Sequence, residues 1–373
     1  MLCYTFLVLL ESIEALNFRN LAGSFNPSNR LNILVGENGQ GKTNWLEAVD
    51  LLASTRSFRT ARLQETVRFE ERSALVRGSV RESPEIARTL QVSVDGNTKV
   101  LFVNGKKETS ARYLGQLHSV VFNADALEII RGQPDARRKF LDEGIISLHP
   151  PFVQTFTDYN RVIRQKNSLL QQARDQEYPL EKTVEALSPW NEQLVPLSAR
   201  IHRGRVRFVE RLNETLQRRL FGTEEICIRY LSSLEGRGDI SNYEALIEER
   251  LGLRVQAELV AGHALIGPHR DDLEIMLDGH DIRKFGSAGQ QRSALLLLQL
   301  ANIEVYRSTR GEYPLFLLDD IDAELDYQRI GQLLDFLSEK TQNFVTTSKQ
   351  NFVQEFGRTA SVFAVEKGLP KLQ

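Results

Sequence analysis

One glycine-rich octapeptide, residues 36–43, limits what this chain can fold into more than any other stretch. It fits the pattern of glycine, four variable residues and Gly-Lys-Thr, and it lies between an apolar strand predicted over 31–35 and a helix predicted over 44–52. In that context glycines let backbone N–H groups turn inward around phosphate oxygens, and the helix N-terminus adds a partial positive charge. The sequence therefore predicts a phosphate-binding loop formed by Gly36, Glu37, Asn38, Gly39, Gln40, Gly41, Lys42 and Thr43.

Two carboxylates far along the chain complement this loop. Asp319 and Asp320 follow the apolar residues 313–318, which are typical of a strand buried on both faces. We expect Lys42 to reach the terminal phosphates of a nucleotide, while Thr43 and Asp319 hold Mg²⁺. Asp320 is then placed to orient an attacking water. The alternative is that both aspartates are solvated loop residues.

The composition is that of an ordinary globular protein, with 41% hydrophobic and 26% charged residues among 373. A formal net charge of −2 does not indicate nucleic-acid binding, so any basic surface has to be local. Cys3 and Cys227 fit neither a disulfide framework nor a metal site, which suits a reducing cytosol. We expect a cytoplasmic protein with no membrane span or signal peptide, and Met1 to about Leu9 is interpreted as an upstream extension or a misplaced start.

Hydrophobic patterning changes twice along the chain. Residues 10–123 alternate as antiparallel hairpins do, above all between 73 and 104, and strand patterns resume over 263–373. Residues 124–262 instead follow helical spacing. We predict a nucleotide-binding head made of the two outer segments and a helical insertion between them.

Within the insertion, two antiparallel helices are predicted with a turn at 176–179. The Ser188-Pro189 pair is a helix start signal, and Pro196 is expected to kink the second helix. In the head, a further helix is predicted over 293–306.

Two arginine-rich segments each leave two interpretations open. Arg56, Arg59 and Arg62 form either a solvated loop or a contact with an anion, namely the nucleotide or DNA. The second run, in the insertion, forms either a solvated helix face or a contact with DNA phosphates. Its members are Arg200, Arg203, Arg205, Arg207, Arg211, Arg218 and Arg219.

The motifs together resemble those of ABC-type ATPases. Residues 36–43 are similar to a Walker A motif and 315–320 to a Walker B motif, while 287–291 resemble the signature motif and 323–326 the D-loop. Within that superfamily the chain, from about Leu10 onward, resembles the RecF family of bacterial DNA replication and repair proteins. The segments that carry this closer resemblance are 36–44, 57–60, 137–142, 267–272 and 289–293.

The resemblance implies an α/β fold, namely an ABC-type ATPase head with a P-loop NTPase sheet, an antiparallel β subdomain and an inserted helical lobe. It implies ATP and Mg²⁺ as cofactors and an ATP-dependent homodimer, in which Ser287, Gly289 and Gln290 contact the partner's ATP. It also implies ATP-dependent DNA binding at single-strand gaps, cooperation with the mediators RecO and RecR in loading RecA, and a weak DNA-stimulated ATPase used as a switch.

Three positions depart from the ABC-type pattern. Asp320 stands where many such ATPases carry glutamate, and its shorter reach fits a slow switch. Residues 346–348, Thr-Thr-Ser, stand where many carry a switch histidine, and Asn123 lies near the expected glutamine of the Q-loop. The residues that take over those two roles stay open.

Other P-loop classes fit less well. A transporter ATPase subunit would share the motifs but lack the arginine-rich insertion and the Gly267–Asp272 segment. A small-molecule kinase would need no signature motif, and the separation between Lys42 and Asp319 is too long for its compact fold. A chromosome-condensation ATPase would need a long coiled coil, which the apolar positions do not support.

Overall fold

A computed structural model describes residues 8–83, 85–219 and 224–373. These residues divide into two compact units. The first comprises 8–83, 85–127, 218–219 and 287–373, and the second comprises 128–217 and 224–286.

The described residues form fifteen strands and thirteen α-helices. The strands are β1 (Leu9–Phe18), β2 (Leu21–Phe25), β3 (Leu31–Val35), β4 (Ser73–Ser83), β5 (Ile86–Asp95), β6 (Thr98–Val103), β7 (Lys106–Glu108), β8 (Ser119–Phe122), β9 (Ile226–Leu231), β10 (Asp272–Leu277), β11 (His280–Asp281), β12 (Leu315–Leu318), β13 (Asn343–Thr347), β14 (Ser361–Glu366) and β15 (Leu369–Leu372). The helices are α1 (Lys42–Ser54), α2 (Ser110–Tyr113), α3 (Glu128–Arg131), α4 (Pro134–Leu148), α5 (Phe152–Asp175), α6 (Leu180–Leu216), α7 (Tyr243–Leu253), α8 (Val255–Ala261), α9 (Ile282–Phe285), α10 (Ala288–Arg310), α11 (Ile321–Glu324), α12 (Tyr327–Leu337) and α13 (Gln350–Phe356).

The first unit contains two six-stranded sheets that share one core. The first sheet has the order β15-β14-β3-β13-β12-β8 and is parallel except for β15, whereas the second is antiparallel with the order β2-β1-β4-β5-β6-β7. Helix α1 carries Trp45 and Leu52 into a hydrophobic cluster that also holds Val76 of β4 and Phe344 of β13. Because parallel strands end at one edge, the residues that follow β3, β12 and β13 meet there.

The predicted hairpins are confirmed, and the antiparallel sheet is larger than expected. Asn104 and Gly105 have φ values of 51° and 75°, the left-handed pair that a tight hairpin turn requires. The sheet also includes β1, which begins at Leu9. Leu9 therefore belongs to the fold, and the expectation that it lies in an upstream segment is wrong. Val8 and Leu10 are buried because they face this core, and residues 1–7 lie outside the described part of the chain.

The second unit is built on a helical hairpin. Helices α5 and α6 are joined by a turn at 176–179, as predicted, and Lys166 of α5 donates to Asn191 of α6. The predicted helix start at Ser188-Pro189 is wrong, because α6 begins at Leu180 and runs through Pro189 and Pro196. Burial of one long apolar face of α6 offsets the backbone hydrogen bonds that the prolines remove.

The boundary after the insertion also differs from the expectation. Residues 263–286 belong to the second unit rather than to the head. The reason is strand pairing, since β10 lies antiparallel to β9 and forms a three-stranded sheet with β9 and β11. Sequence patterning identifies the predicted hairpin at β10 and β11 but not its partner strand. Across the described ranges, every helix is too short or too polar to cross a membrane.

Candidate nucleotide-binding site

The octapeptide forms a tight loop between β3 and α1. A Cβ atom added at Gly36 would lie 2.6 Å from the carbonyl oxygen of Val365, so the loop begins where only glycine fits. Gly39 and Gly41 have φ values of 83° and 108°, which other residues adopt only with strain. The loop backbone is therefore held in the turn that directs N–H groups toward an anion.

Lys42 is the first residue of α1 and is almost fully buried. Its Nζ donates to the carbonyl oxygens of Gly36 and Glu37, at 2.7 and 2.9 Å. These contacts place a compact positive charge inside the loop, at the N-terminus of a helix whose first N–H groups lack intrahelical partners.

Three polar side chains meet at the carboxyl edge of the parallel sheet. The Thr43 hydroxyl donates to Oδ1 of Asp319 at 2.8 Å, and the Thr346 hydroxyl donates to the same oxygen at 2.6 Å. The sheet order places β12, β13 and β3 side by side, which brings these residues together. The solvated-loop interpretation of Asp319 is therefore wrong, because its carboxylate is held from two sides.

The donor set of Thr43 and Asp319 fits a magnesium ion. Hydroxyl and carboxylate oxygens are the ligands that Mg²⁺ prefers, and one or two protein ligands suffice when phosphates and waters complete the shell. Burial raises the pKa of the Asp319 carboxyl, and hydrogen bonds from Thr346 and Thr43 oppose part of that rise. No cluster of three or more acidic, histidine or cysteine side chains suited to a metal occurs among the described residues.

Asp320 lies at the same edge in an unusual backbone conformation. Its φ and ψ values of 46° and 43° place it in the left-handed region, and its N–H donates to the Thr346 hydroxyl at 2.9 Å. Partial desolvation and the neighbouring Asp319 carboxylate raise the pKa of Asp320. The side chain is exposed and near enough to the Asp319 carboxylate to feel its charge, and its role with water stays a prediction.

Hydrogen bonds within the first unit hold the residues that stand where many ABC-type ATPases carry the switch histidine and the Q-loop glutamine. Thr346, which sequence reasoning could not assign, connects Asp319 to the backbone of Asp320, and the Thr347 hydroxyl accepts from the N–H of Lys349. Ser348 is exposed. Asn123 is buried, and its Oδ1 accepts from the N–H of Ala126, which caps the turn after β8.

Gln40 ties the loop to the far end of the chain. Its Oε1 accepts from the N–H of Lys367 at 2.7 Å, and its backbone oxygen accepts from the N–H of Gly368 at 2.8 Å. Trp45 also donates to the Gly368 oxygen. The Gln40 side chain therefore anchors the β14–β15 turn, and a contact of Gln40 with the nucleotide stays a prediction. No sequence signal pairs residues 327 positions apart.

The first arginine-rich segment is organised by a buried carboxylate. Glu47 is fully buried and accepts two hydrogen bonds from Arg19, at 3.0 and 2.8 Å. The Arg59 guanidinium lies 2.7 Å from Oδ1 of Asn44 and 3.5 Å from Oε2 of Glu47. Arg59 is thus held beside the loop, whereas Arg56 and Arg62 are exposed, and a contact of this segment with an anion stays a prediction.

The signature-like segment forms the start of α10. Ser287 is the N-cap residue, and its hydroxyl accepts from the N–H of Gln290 while the Gln290 side chain accepts from the N–H of Ser287. The helix predicted from Ser293 therefore begins five residues earlier, at Ala288. Ser287, Gly289 and Gln290 are exposed, and Arg292 bonds Glu324 of the D-loop-like segment at 2.7 Å.

The second arginine run divides by burial. Arg205 is buried and makes two hydrogen bonds to Asp142, at 2.8 and 3.0 Å, so it is a structural residue of the second unit. Arg200, Arg203, Arg207 and Arg211 are exposed on the same helix. The run is therefore neither a uniform solvated face nor a uniform binding surface.

Known proteins match the chain over nearly its full length. The family described as "RecF/RecN/SMC N terminal domain" matches residues 9–371. The chain is 39% identical over 369 residues to the "DNA replication and repair protein RecF" of Pelotomaculum thermopropionicum, covering 97% of this chain and 99% of that one. The chain belongs to the RecF family.

A RecF protein of Halothermothrix orenii is 35% identical over 372 residues, which cover 96% of this chain and 98% of that protein. A solved RecF structure, described as "RecF-ATPrS in RecFOR pathway", has a TM-score of 0.89, 31% identity and 98% coverage of both chains. An SMC head with 15% identity and a TM-score of 0.52 shares the fold. The predicted fold class, an ABC-type ATPase head with a P-loop sheet, is confirmed, and the transporter alternative finds no support.

Proposed function

We propose that this chain is an ATP-switched, DNA-binding protein of DNA replication and repair. The names of its RecF relatives support that role, and two similar solved structures are described as RecF-ATPrS and RecF-ATP. Sequence and geometry support the same role, because the glycine loop, the buried lysine and the Thr43–Asp319 pair form one nucleotide-binding edge.

At that edge the backbone of residues 36–41 cradles the phosphates. Lys42 would exchange its contacts with the loop carbonyls for contacts with phosphate oxygens, and Thr43 and Asp319 would hold Mg²⁺. The ion neutralises phosphate charge when it is bound. Asp320 orients the attacking water, while Thr346 keeps the two aspartates in place through its hydroxyl. A short aspartate in this role fits slow hydrolysis used as a switch.

The exposed start of α10 is the surface for a second subunit. Ser287, Gly289 and Gln290 are available in one protomer and would complete the nucleotide site of its partner. Binding of ATP then drives a homodimer that holds DNA. The cooperating proteins are RecO and RecR, with which the dimer helps to load RecA at single-strand gaps.

The observation that carries this proposal is the convergence of Thr43, Asp319 and Thr346 beside the glycine loop. Analytical ultracentrifugation with and without ATP, and with and without a gapped duplex, tests it. We expect a monomer without ATP, a dimer with ATP and a DNA complex that contains the dimer only with ATP. Lys42→Arg is the control, since a bulky guanidinium does not replace a compact ammonium at the phosphates. An ATP-insensitive wild type, or dimerisation of Lys42→Arg like the wild type, would refute the proposal.

A further inference from the structure

The second unit contains a cavity of about 300 Å³ between the end of α4, the start of α5 and the middle of α6. Its floor is apolar, since Ile145 and Leu148 of α4 and Phe208 of α6 are buried there. Phe152, the first residue of α5, forms one wall. A Cβ atom at Gly204 would lie 3.2 Å from this ring, so the glycine leaves room between the ring and α6.

The rim of the cavity is a row of arginines. Arg200, Arg203, Arg207 and Arg211 are spaced by three, four and four residues, which places them on one face of α6. Successive members are therefore about 4.5–6 Å apart along the helix axis. No carboxylate belongs to the residues that line the cavity. Arg203 has an ion pair with Glu244 at 3.9 Å, but both side chains are more than half exposed, so the pair is weak.

One of these arginines is already held in position by an aromatic ring. The Arg200 guanidinium lies over the Phe152 ring, 4.9 Å from its centroid. Stacking leaves the N–H groups at the edge of the guanidinium plane available for a phosphate. The cavity thus combines flat stacking surfaces, an apolar floor and a row of forked cationic donors.

We propose that this cavity binds one unpaired nucleotide of a DNA strand, with its base against the apolar floor and the Phe152 ring and its flanking phosphates on the arginine row. The inference rests on the proposed DNA-binding function and adds a preference for unpaired strands. Duplex DNA would contact only the arginines at the rim, because its bases are stacked inside the double helix and cannot enter the cavity. Acidic peptides would pair with the arginines but would not use flat stacking surfaces, whereas bases stack on aromatic rings and guanidinium planes. The volume lies at the lower end of small-ligand sites, about 300–1,000 Å³.

The test measures affinity by fluorescence anisotropy, without ATP, for a labelled oligothymidylate and for a strand of equal length made of abasic units. Phe152→Leu keeps the apolar volume but removes the ring. It is expected to weaken oligothymidylate binding about tenfold and to leave the abasic strand and the salt dependence unchanged. Arg207→Ala is expected to weaken both strands and to reduce the slope of log affinity against log salt by about 0.7. Arg164→Ala, an exposed arginine of α5 outside the cavity, is the control of equal charge change.

Three results would overturn the proposal. They are equal losses for both strands in Phe152→Leu, an unchanged salt slope in Arg207→Ala, and full displacement of the strand by a glutamate-rich peptide containing phenylalanine. Because the measurement omits ATP, it stays informative if the wild type fails to dimerise with ATP. Failure of the ATP switch and failure of the nucleotide cavity are therefore distinguishable.

Discussion

At the scale of single residues, Asp320 is held in a conformation that its amino acid seldom adopts. Left-handed backbone angles in a residue other than glycine cost of the order of 1–2 kcal/mol, although aspartate tolerates them better than most. The Thr346 hydroxyl accepts from the N–H of Asp320 and donates to the Asp319 carboxylate, and these two hydrogen bonds hold the backbone in place. Strain of this kind tends to occur at functional sites, which agrees with the role proposed for the carboxylate.

Asp320→Asn is expected to bind ATP and to accumulate the dimer, because Thr43 and Asp319 remain while the water-orienting carboxylate is lost. Turnover should fall by at least about a hundredfold, the lower range for a positioned base. The raised pKa of Asp320 adds a pH test. In the wild type, turnover should fall on acidification at a higher pH than an ordinary aspartate would give, since protonation removes the base. Asp320→Asn should lack this limb in an ATPase pH profile, and normal turnover in the variant would place the base elsewhere.

Asp320→Asn is also expected to change the stability of the protein, in a direction that the raised pKa of Asp320 determines. A carboxyl whose folded pKa is raised favours folding while protonated, and this contribution is lost as the pH rises through the folded pKa. At neutral pH the neutral asparagine is therefore expected to raise the melting temperature. The difference should vanish below the usual aspartate pKa. Calorimetry at both pH values measures it.

At the scale of secondary-structure elements, the start of α10 serves the fold as well as the proposed dimer. The Ser287 and Gln290 capping box satisfies the first N–H groups of a 23-residue helix. The residues predicted to contact the partner's nucleotide therefore also stabilise their own helix. Any test of the dimer surface has to separate these two roles.

Ser287→Arg is expected to lose the ATP-dependent dimer while monomer ATP affinity stays near that of the wild type. Loss of the cap should lower the free energy of unfolding by about 1 kcal/mol. Ser287→Ala loses the same cap without adding bulk, and so it should show the same destabilisation with a smaller loss of dimer. Sedimentation, nucleotide titration and urea unfolding measure the three quantities. A Ser287→Arg variant that dimerises with ATP would contradict the signature assignment.

The anchoring of the phosphate loop to the β14–β15 turn gives a second prediction at this scale. Gln40→Ala removes the acceptor for the N–H of Lys367 and is expected to lower the free energy of unfolding by about 1 kcal/mol. Asn38→Ala, an exposed amide of the same loop, is the control and should have little effect on stability. Urea denaturation distinguishes the two, and equal losses would mean that the Gln40 contact adds nothing.

At the scale of the whole molecule, each unit has its own interior. The first is built around α1 between two sheets. The second depends on buried polar contacts, among them the Arg205–Asp142 pair and the fully buried Lys166–Glu258 ion pair. Removal of one partner from such a pair is costly because the other charge stays buried.

Arg205→Ala is accordingly expected to lower the free energy of unfolding by about 3–5 kcal/mol, since Asp142 and the carbonyl of Pro268 lose their donor. Arg164→Ala, on the surface of α5, should change it by less than about 0.5 kcal/mol. Chemical denaturation of both variants gives the comparison. A loss of less than about 1 kcal/mol in Arg205→Ala would contradict the prediction, because it would mean that Asp142 is not left as an uncompensated buried charge.

The sequence by itself determined the parts that depend on local pattern. The glycine loop, the flanking strand and helix, the hairpins of β4 to β6 and the apolar strand before Asp319 follow from periodicity and turn chemistry. The fold class and the family followed from the order of those motifs. Such features are readable because neighbouring residues decide them.

Only the tertiary structure decided which distant residues share a site. Thr346 reaches Asp319, and Gln40 holds Lys367, because the sheet order and the β14–β15 turn place them together. Arg205 and Arg207 are the same amino acid two positions apart, yet one is buried in an ion pair and the other lines a cavity. Helix α6 continues through Pro189 and Pro196, because burial of its apolar face stabilises it more strongly than the local start signal at Ser188-Pro189 favours a new helix. Burial and long-range pairing are properties of the packed chain, and no local pattern encodes them.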